Sequence, residues 1–275
     1  MKTLGMLLLF LGVSVGAWAG SVGDAVEVRI RTDSGRELPL YPVSARHPDH
    51  RAYGEAVKGD QYTIVVRNRL GCRVGVVVAV DGRNIISGKK SYLAAGERMY
   101  ILEPYGTGEY SGWRANLDRV NRFYFTAAAD SYAGAFNDQS AMGVIAVAVY
   151  PEVQRHPEPQ PMLNAPLDGA APAPAGSAPA AAAPAARYGG APHKSAKKAM
   201  RAAREESAGT GYGNDEYAPA YEVAFEAQGS AVERVYIKYE WRSTLYRLGI
   251  IGRPEPRPRN RMWDDGFAPP PPGRG

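Results

Sequence analysis

Residues 62–84 read YTIVVRNRLGCRVGVVVAVDGRN. Tyr62, Ile64 and Val66 recur with a period of two, which places them on one face of a β-strand. Asn68 to Gly71 carries turn residues, and Val74, Val76, Val78 and Val80 then resume the alternation. The intervening Gly75, Val77 and Ala79 are apolar or small too, so this second strand reads as central and covered on both faces. The arrangement predicts a β-hairpin core. Asp81-Gly82 predicts a further tight turn, because both central positions of a type I′ turn need positive φ.

Working outward, Val26, Val28 and Ile30 alternate with Glu27, Arg29 and Arg31, as in a strand with one wet face. Leu38 to Tyr41 reads as a short edge strand, since Pro39 and Pro42 cannot donate to a ladder. Ser44 to Asp60 reads as a loop with one helical turn at Gly54 to Val57. Further strands are expected at Arg98 to Leu102, Glu109 to Trp113, Arg122 to Thr126 and Gly143 to Tyr150. Asp130 or Ser131 is placed to cap a short helix through Phe136. About six to eight short strands with frequent turns predict a mainly β fold over residues 20–150, an antiparallel β-sandwich, Ig-like or related.

The first 19 residues read as a cleavable signal peptide: Lys2 precedes the apolar run Leu4 to Val15, and Ala17-Trp18-Ala19 fits a cleavage site after Ala19. Export to the periplasm or beyond follows. No later run is long enough to span a membrane as a helix. The chain has 275 residues, one cysteine and a net charge of +5. That charge is too small to mark a nucleic-acid binder. Cys72 has no intramolecular disulfide partner and reads as a small core residue.

After Pro151 the composition shifts to alanine and proline, which predicts a linker over 151–193, extended and without a core of its own. Lys194, Lys197, Lys198, Arg201 and Arg204 fall at helical spacing, so 194–206 reads as a basic helix. It is either a solvated continuation of the linker or a polyanion contact. Residues 207–252 read as a small ββα module. Its strands would cover Tyr221 to Glu226 and Val235 to Glu240, and its helix would run from Trp241 to Leu248 and stop at Gly249. A piece this small lacks a sufficient core, so it is expected to dock on the sandwich. Residues 253–275 read as a Pro/Arg-rich disordered tail.

No motif for nucleophilic, metal or nucleotide chemistry is present. His47 and His50 flank Asp49, but two histidines in a loop fall short of a metal site, so no metal and no cofactor are expected. Gly209 to Gly213 lacks the Lys-Ser/Thr of a phosphate loop and precedes a strand. The remaining signal is aromatic. Tyr105, Tyr110, Trp113, Arg114 and Tyr132 crowd the second half of the body, several near predicted loops, where rings with an arginine at a loop end would grip a peptide or sugar. The competing reading is that most of these rings are core.

The runs AVDGRNIISGKKS, ERMYILEPY, GWR, VNRFYFT, DSYA and AMGVIAVAVY, with GTGYG and IKYEWRSTLYRLGII further on, resemble a family of uncharacterised exported bacterial proteins. The resemblance spans Ala25–Tyr150 and Gly209–Ile251. It implies export and a shared origin of the two blocks, and it carries over neither an activity nor site residues. The expectation is therefore a non-catalytic envelope module that binds a protein or cell-wall glycan. The alternatives are a hydrolase whose acids, such as Asp81, Asp118 or Asp130, meet on folding, or a polyanion binder using the basic helix and tail.

Overall fold

The computed structural model describes residues 20–154 and 207–252. The expected signal peptide, basic helix and tail, and the linker beyond its first residues, lie outside the described residues. Among those described, the chain is mainly β and forms two sheets, neither closed into a barrel.

The first sheet runs β1 (Val26–Thr32), β4 (Gln61–Asn68), β10 (Arg119–Ala127), β12 (Ala208–Thr210). β8 (Thr107–Tyr110) also pairs with β4, while β9 (Gly112–Arg114) and β13 (Asp215–Tyr217) pair with β10. The second sheet runs β2 (Leu40–Val43), β3 (Asp49–Ala56), β14 (Glu233–Trp241), β11 (Val144–Pro151), β5 (Val74–Val80), β6 (Arg83–Asn84), with β7 (Tyr100–Leu102) also on β5. Every pairing between these strands is antiparallel except β3 with β14. One hydrophobic core joins the sheets, with Val28, Ile64, Phe123 and Phe125 from the first and Val76, Val78, Val147 and Ile237 from the second.

The quoted stretch forms both expected strands, but they do not make a hairpin. β4 pairs with β1, β8 and β10, whereas β5 pairs with β6, β7 and β11 in the other sheet. Residues 69–73 are a crossover between layers. Alternation specifies which side chains are buried and leaves open which sheet buries them. Asn68, fully buried, staples this crossover. Its Nδ2 donates to the carbonyls of Cys72 at 2.8 Å and Glu103 at 2.9 Å, and its Oδ1 accepts from the Leu70 N–H at 2.9 Å. Cys72 is half-buried against the core edge. Asn68→Ala would strand these groups, and equilibrium urea unfolding should show a loss of about 2 kcal/mol.

At the other end of β5 the expected tight turn forms. Asp81 and Gly82 have φ of 50° and 77°, and Val80 faces Arg83 across the turn. β5 is covered on both faces: Val74, Val76, Val78 and Val80 face the main core. Val77 lies under a second cluster with Ala148 and Tyr150, packed by Leu93, Ala95 and Met99. Ser131 caps α1 (Tyr132–Ala135), its Oγ accepting from the Gly134 N–H at 3.0 Å.

Two expectations need correction. Ser44 to Asp60 is not a loop with a helical turn, because β3 runs through its middle and takes in Gly54 to Ala56. The buried face of β3 consists of Ala52, Gly54 and Ala56, residues too small to register as an apolar stripe. Residues 207–252 do not stand apart as a ββα module. No strand forms over Tyr221 to Glu226, while β12 and β13 join the first sheet. β14 lies inside the second sheet between β3 and β11. The expected helix is present as α2 (Arg242–Arg247), with Leu245 buried beneath it. Among the described residues no helix is long and apolar enough to cross a membrane.

Candidate functional site

Asp81 was a candidate acid for hydrolysis, and its setting argues against that role. It is fully buried, so no substrate reaches it. Its Oδ1 accepts from the Gly143 N–H at 2.7 Å and the Tyr239 hydroxyl at 2.6 Å, and its Oδ2 accepts from the Thr210 N–H at 2.7 Å. The Thr210 hydroxyl lies 2.7 Å from both the Tyr239 and Tyr62 hydroxyls. With Asp81 ionised, Tyr239 must donate to it. Thr210 then donates to Tyr239, and Tyr62 to Thr210, so the chain of hydroxyls points one way. Burial pushes the Asp81 carboxyl up to about 6, against the opposing pull of the Tyr239, Thr210 and Gly143 hydrogen bonds. The cluster joins β4, the turn after β5, β12 and β14. It is a structural knot between the two blocks of the chain. Asp118 and Asp130 are exposed, the first on the turn between β9 and β10 and the second at the end of a 3-10 turn over Ala128–Asp130.

The five aromatic and arginine candidates do not converge. Tyr110 and Trp113 are core residues, at 6% and 2% exposure. The Tyr110 ring stacks on Tyr100 with centroids 4.3 Å apart, and the Trp113 indole N–H donates to the Gly211 carbonyl at 3.0 Å. The strand expected over Glu109 to Trp113 forms as two, β8 and β9, broken at Ser111, and both rings are buried. Tyr105 is exposed at the turn between β7 and β8. Tyr132 packs on Trp113 and stacks near Tyr212, beside the exposed Phe136 that Arg83 covers at 3.9 Å. Arg114 lines a sizeable concavity that the other four do not border. The proposed polyanion contacts Lys194, Lys197, Lys198, Arg201 and Arg204 lie outside the described residues.

That concavity is a groove of about 950 Å³ at the margin of the fold. One wall is β7 and the chain leading into it, including Arg98, Met99, Tyr100 and Ile101. The other is the segment Ala220–Ala227, a strap fixed at its ends and exposed between them. The Ala218 and Ala220 N–H groups donate to Asp118 and Leu117 carbonyls at 2.8 and 2.7 Å, and the Val153 N–H donates to the Glu226 carbonyl at 2.8 Å. Arg114 anchors the near end, donating to the Ala218 carbonyl and to the Tyr100 hydroxyl, the latter at 3.1 Å. Arg73 holds the far end, pairing with Glu103 and Glu152 while its guanidinium lies 5.8 Å from the Phe225 ring centroid.

One ion pair spans the groove, Arg98 to Glu222 at 3.4 Å, with both side chains mostly exposed. An exposed pair of this kind contributes no more than about 1 kcal/mol, so it is a weak latch. Glu97 is rigid: Ser91, Asn84 and the N–H groups of Tyr92 and Ala94 all donate to it. Burial would raise its carboxyl, and these hydrogen bonds outweigh that and leave it lowered. The strap keeps the alternation expected of a strand, yet Tyr221 is 83% and Val223 44% exposed. The groove residues Arg73, Arg98, Tyr100, Tyr221 and Phe225 were not singled out by sequence. Tyr221 and Phe225 belonged to an apolar alternation that ended up without a sheet, and Arg98 and Tyr100 to the expected strand that became β7.

Comparison with known protein families, characterised proteins and solved structures finds no match.

Proposed function

We propose that the protein is an exported, non-catalytic module of the cell envelope that binds an extended peptide segment of a partner in the β7–strap groove. The observation that carries this reading is the groove's construction. Among the described strands β7 pairs only with β5, which leaves its other edge without a strand partner, and its Tyr100 and Ile101 line the groove. Facing it is a strap with the side-chain alternation of a strand. An extended segment entering between them would add a strand to the sheet and set its alternate side chains against Met99, Tyr100 and Phe225. The signal-like sequence of the first 19 residues and the resemblance to exported proteins support the envelope location. The shared core supports a sandwich related to the Ig-like type, although the parallel β3–β14 pair departs from the wholly antiparallel Ig pattern.

Selection of a displayed random-peptide library on the full chain tests the reading. Recovered peptides should lose about tenfold in affinity with Tyr221→Ala, since an aromatic anchor contributes on the order of 1–2 kcal/mol. Unfolding of that variant should be unchanged, because the ring is exposed. Recovery of no peptide, or of peptides indifferent to Tyr221→Ala, would sink the groove as the binding site.

A second reading has its own observation. Tyr132, Phe136 and Tyr212 form a partly exposed aromatic patch beside Arg83. Ring faces of this kind suit stacking on a cell-wall sugar. Co-sedimentation with isolated peptidoglycan that is lost on Phe136→Ala and kept with Tyr221→Ala would favour it over the peptide reading.

A further inference from the structure

His50 does not lie in a loop with His47. It sits near the start of β3, where its Nε2 is 3.0 Å from Glu233 Oε1 and 3.5 Å from Asp24 Oδ2. The three donor atoms all lie within 4.8 Å of one another. They come from the loop before β1, from β3 and from β14, so sequence spacing could not reveal them. We infer that Asp24, His50 and Glu233 form a binding site for a first-row divalent cation of the Zn²⁺ class.

The geometry supports this in three ways. Tetrahedral Zn²⁺ with bonds of about 2.0–2.1 Å places its ligand atoms about 3.3 Å apart. The two edges from Nε2 bracket that spacing. The third edge closes by rotation of Asp24, whose side chain is 77% exposed and free to turn. Second, one ligand is preorganised. The Glu233 side chain is only 3% exposed, and its oxygens accept from the backbone N–H groups of Asp24 at 2.5 Å and Val26 at 2.9 Å. The loop reaches it only because residue 23 is glycine. Its φ is +111°, and a Cβ there would meet the Val26 carbonyl at 2.2 Å and Glu233 Oε1 at 3.2 Å. Third, two carboxylates converge on one ring nitrogen. A single N–H can serve only the nearer of them, whereas a dication in its place would meet both carboxylates and the ring nitrogen at once.

Imidazole with carboxylates suits Zn²⁺, Co²⁺, Ni²⁺ and related ions rather than Ca²⁺ or Mg²⁺, which take oxygen ligands. Three protein ligands leave a fourth position for water or an outside group. The bound ion would tie the N-terminal loop to β3 and β14, so its expected effect is to raise thermal stability.

The test uses the full chain stripped of metal with a chelator and titrated with ZnCl₂ near neutral pH. We expect one saturable equivalent, a higher Tm, and with Co²⁺ a visible absorption band of the strength four-coordinate sites give. His50→Gln keeps a hydrogen-bond donor beside Glu233 but removes the imidazole. That variant and Asp24→Asn should each weaken binding roughly tenfold or more and cancel the rise in Tm. His47→Ala should change neither. Absence of saturable binding would overturn the assignment. So would binding that His50→Gln leaves intact, which would mark ions held adventitiously elsewhere.

Discussion

Asp81→Ala should cost about 4 kcal/mol in equilibrium unfolding, one of the two largest effects expected for this chain. The carboxylate accepts from two backbone N–H groups and the Tyr239 hydroxyl in a site closed to water. Alanine leaves the Gly143 and Thr210 N–H groups without that acceptor and the Tyr239 hydroxyl with Thr210 alone, and each buried orphan costs about 1–3 kcal/mol. The effect should also depend on pH. The folded carboxyl titrates at about 6 against an ordinary value of 3.8. Between those values the folded protein holds a proton that the unfolded chain has released. Asp81's contribution is therefore greatest below pH 4, falls as pH rises through that window, and is level above it. The displacement amounts to about 3 kcal/mol. Glu27, Glu97 and Asp138, whose carboxyls are lowered, act in the opposite sense at acid pH. The difference between wild type and Asp81→Ala isolates the term. The deficit should be larger at pH 4 than at pH 7, and a constant deficit would refute the burial argument.

The second large effect is all-or-none. A chain ending at residue 154 should fail to fold, and a separate peptide covering 207–252 should restore the fold on mixing. β14 hydrogen-bonds to β3 along one edge and β11 along the other, and it contributes Val235, Ile237 and Tyr239 to the core. Without it the second sheet has a gap in its middle and the Asp81 cluster loses both Thr210 and Tyr239. Circular dichroism and amide exchange of the short chain, with and without the peptide, would decide the matter. A short chain with native-like protection would show that the two blocks are independent after all.

How much of this was legible follows from particular residues. Period-two alternation located β1, β4, β5 and β14, because valine, isoleucine and tyrosine on one face leave a plain pattern, and β11 was legible as a short run apolar on both faces. The Asp81-Gly82 turn was legible because positive φ restricts residue choice. β3 was not, since its inward face is Ala52, Gly54 and Ala56 and carries no hydrophobic contrast. Pairing partners were not legible either: nothing in YTIVVRNRLGCRV distinguishes a hairpin loop from a crossover, and Asn68 performs its role through contacts made only on folding. The candidate sites fared worse for the same reason. In the single strand expected over Glu109 to Trp113, Tyr110 and Trp113 would face opposite ways, whereas the break between β8 and β9 leaves both buried. The Asp24, His50 and Glu233 cluster depends on a contact spanning 209 residues, beyond any motif window.

The position of β14 also sets the timing of the protein's birth. It is the last strand of the described chain to be synthesised, yet it fills the centre of a sheet whose flanking strands are made long before. Until it arrives, β3 and β11 carry open hydrogen-bonding edges beside a row of valines, the condition under which strands find wrong partners. The gap between β3 and β11 can therefore be filled only once residues 233–241 are present, which makes the second sheet complete only with the last described strand.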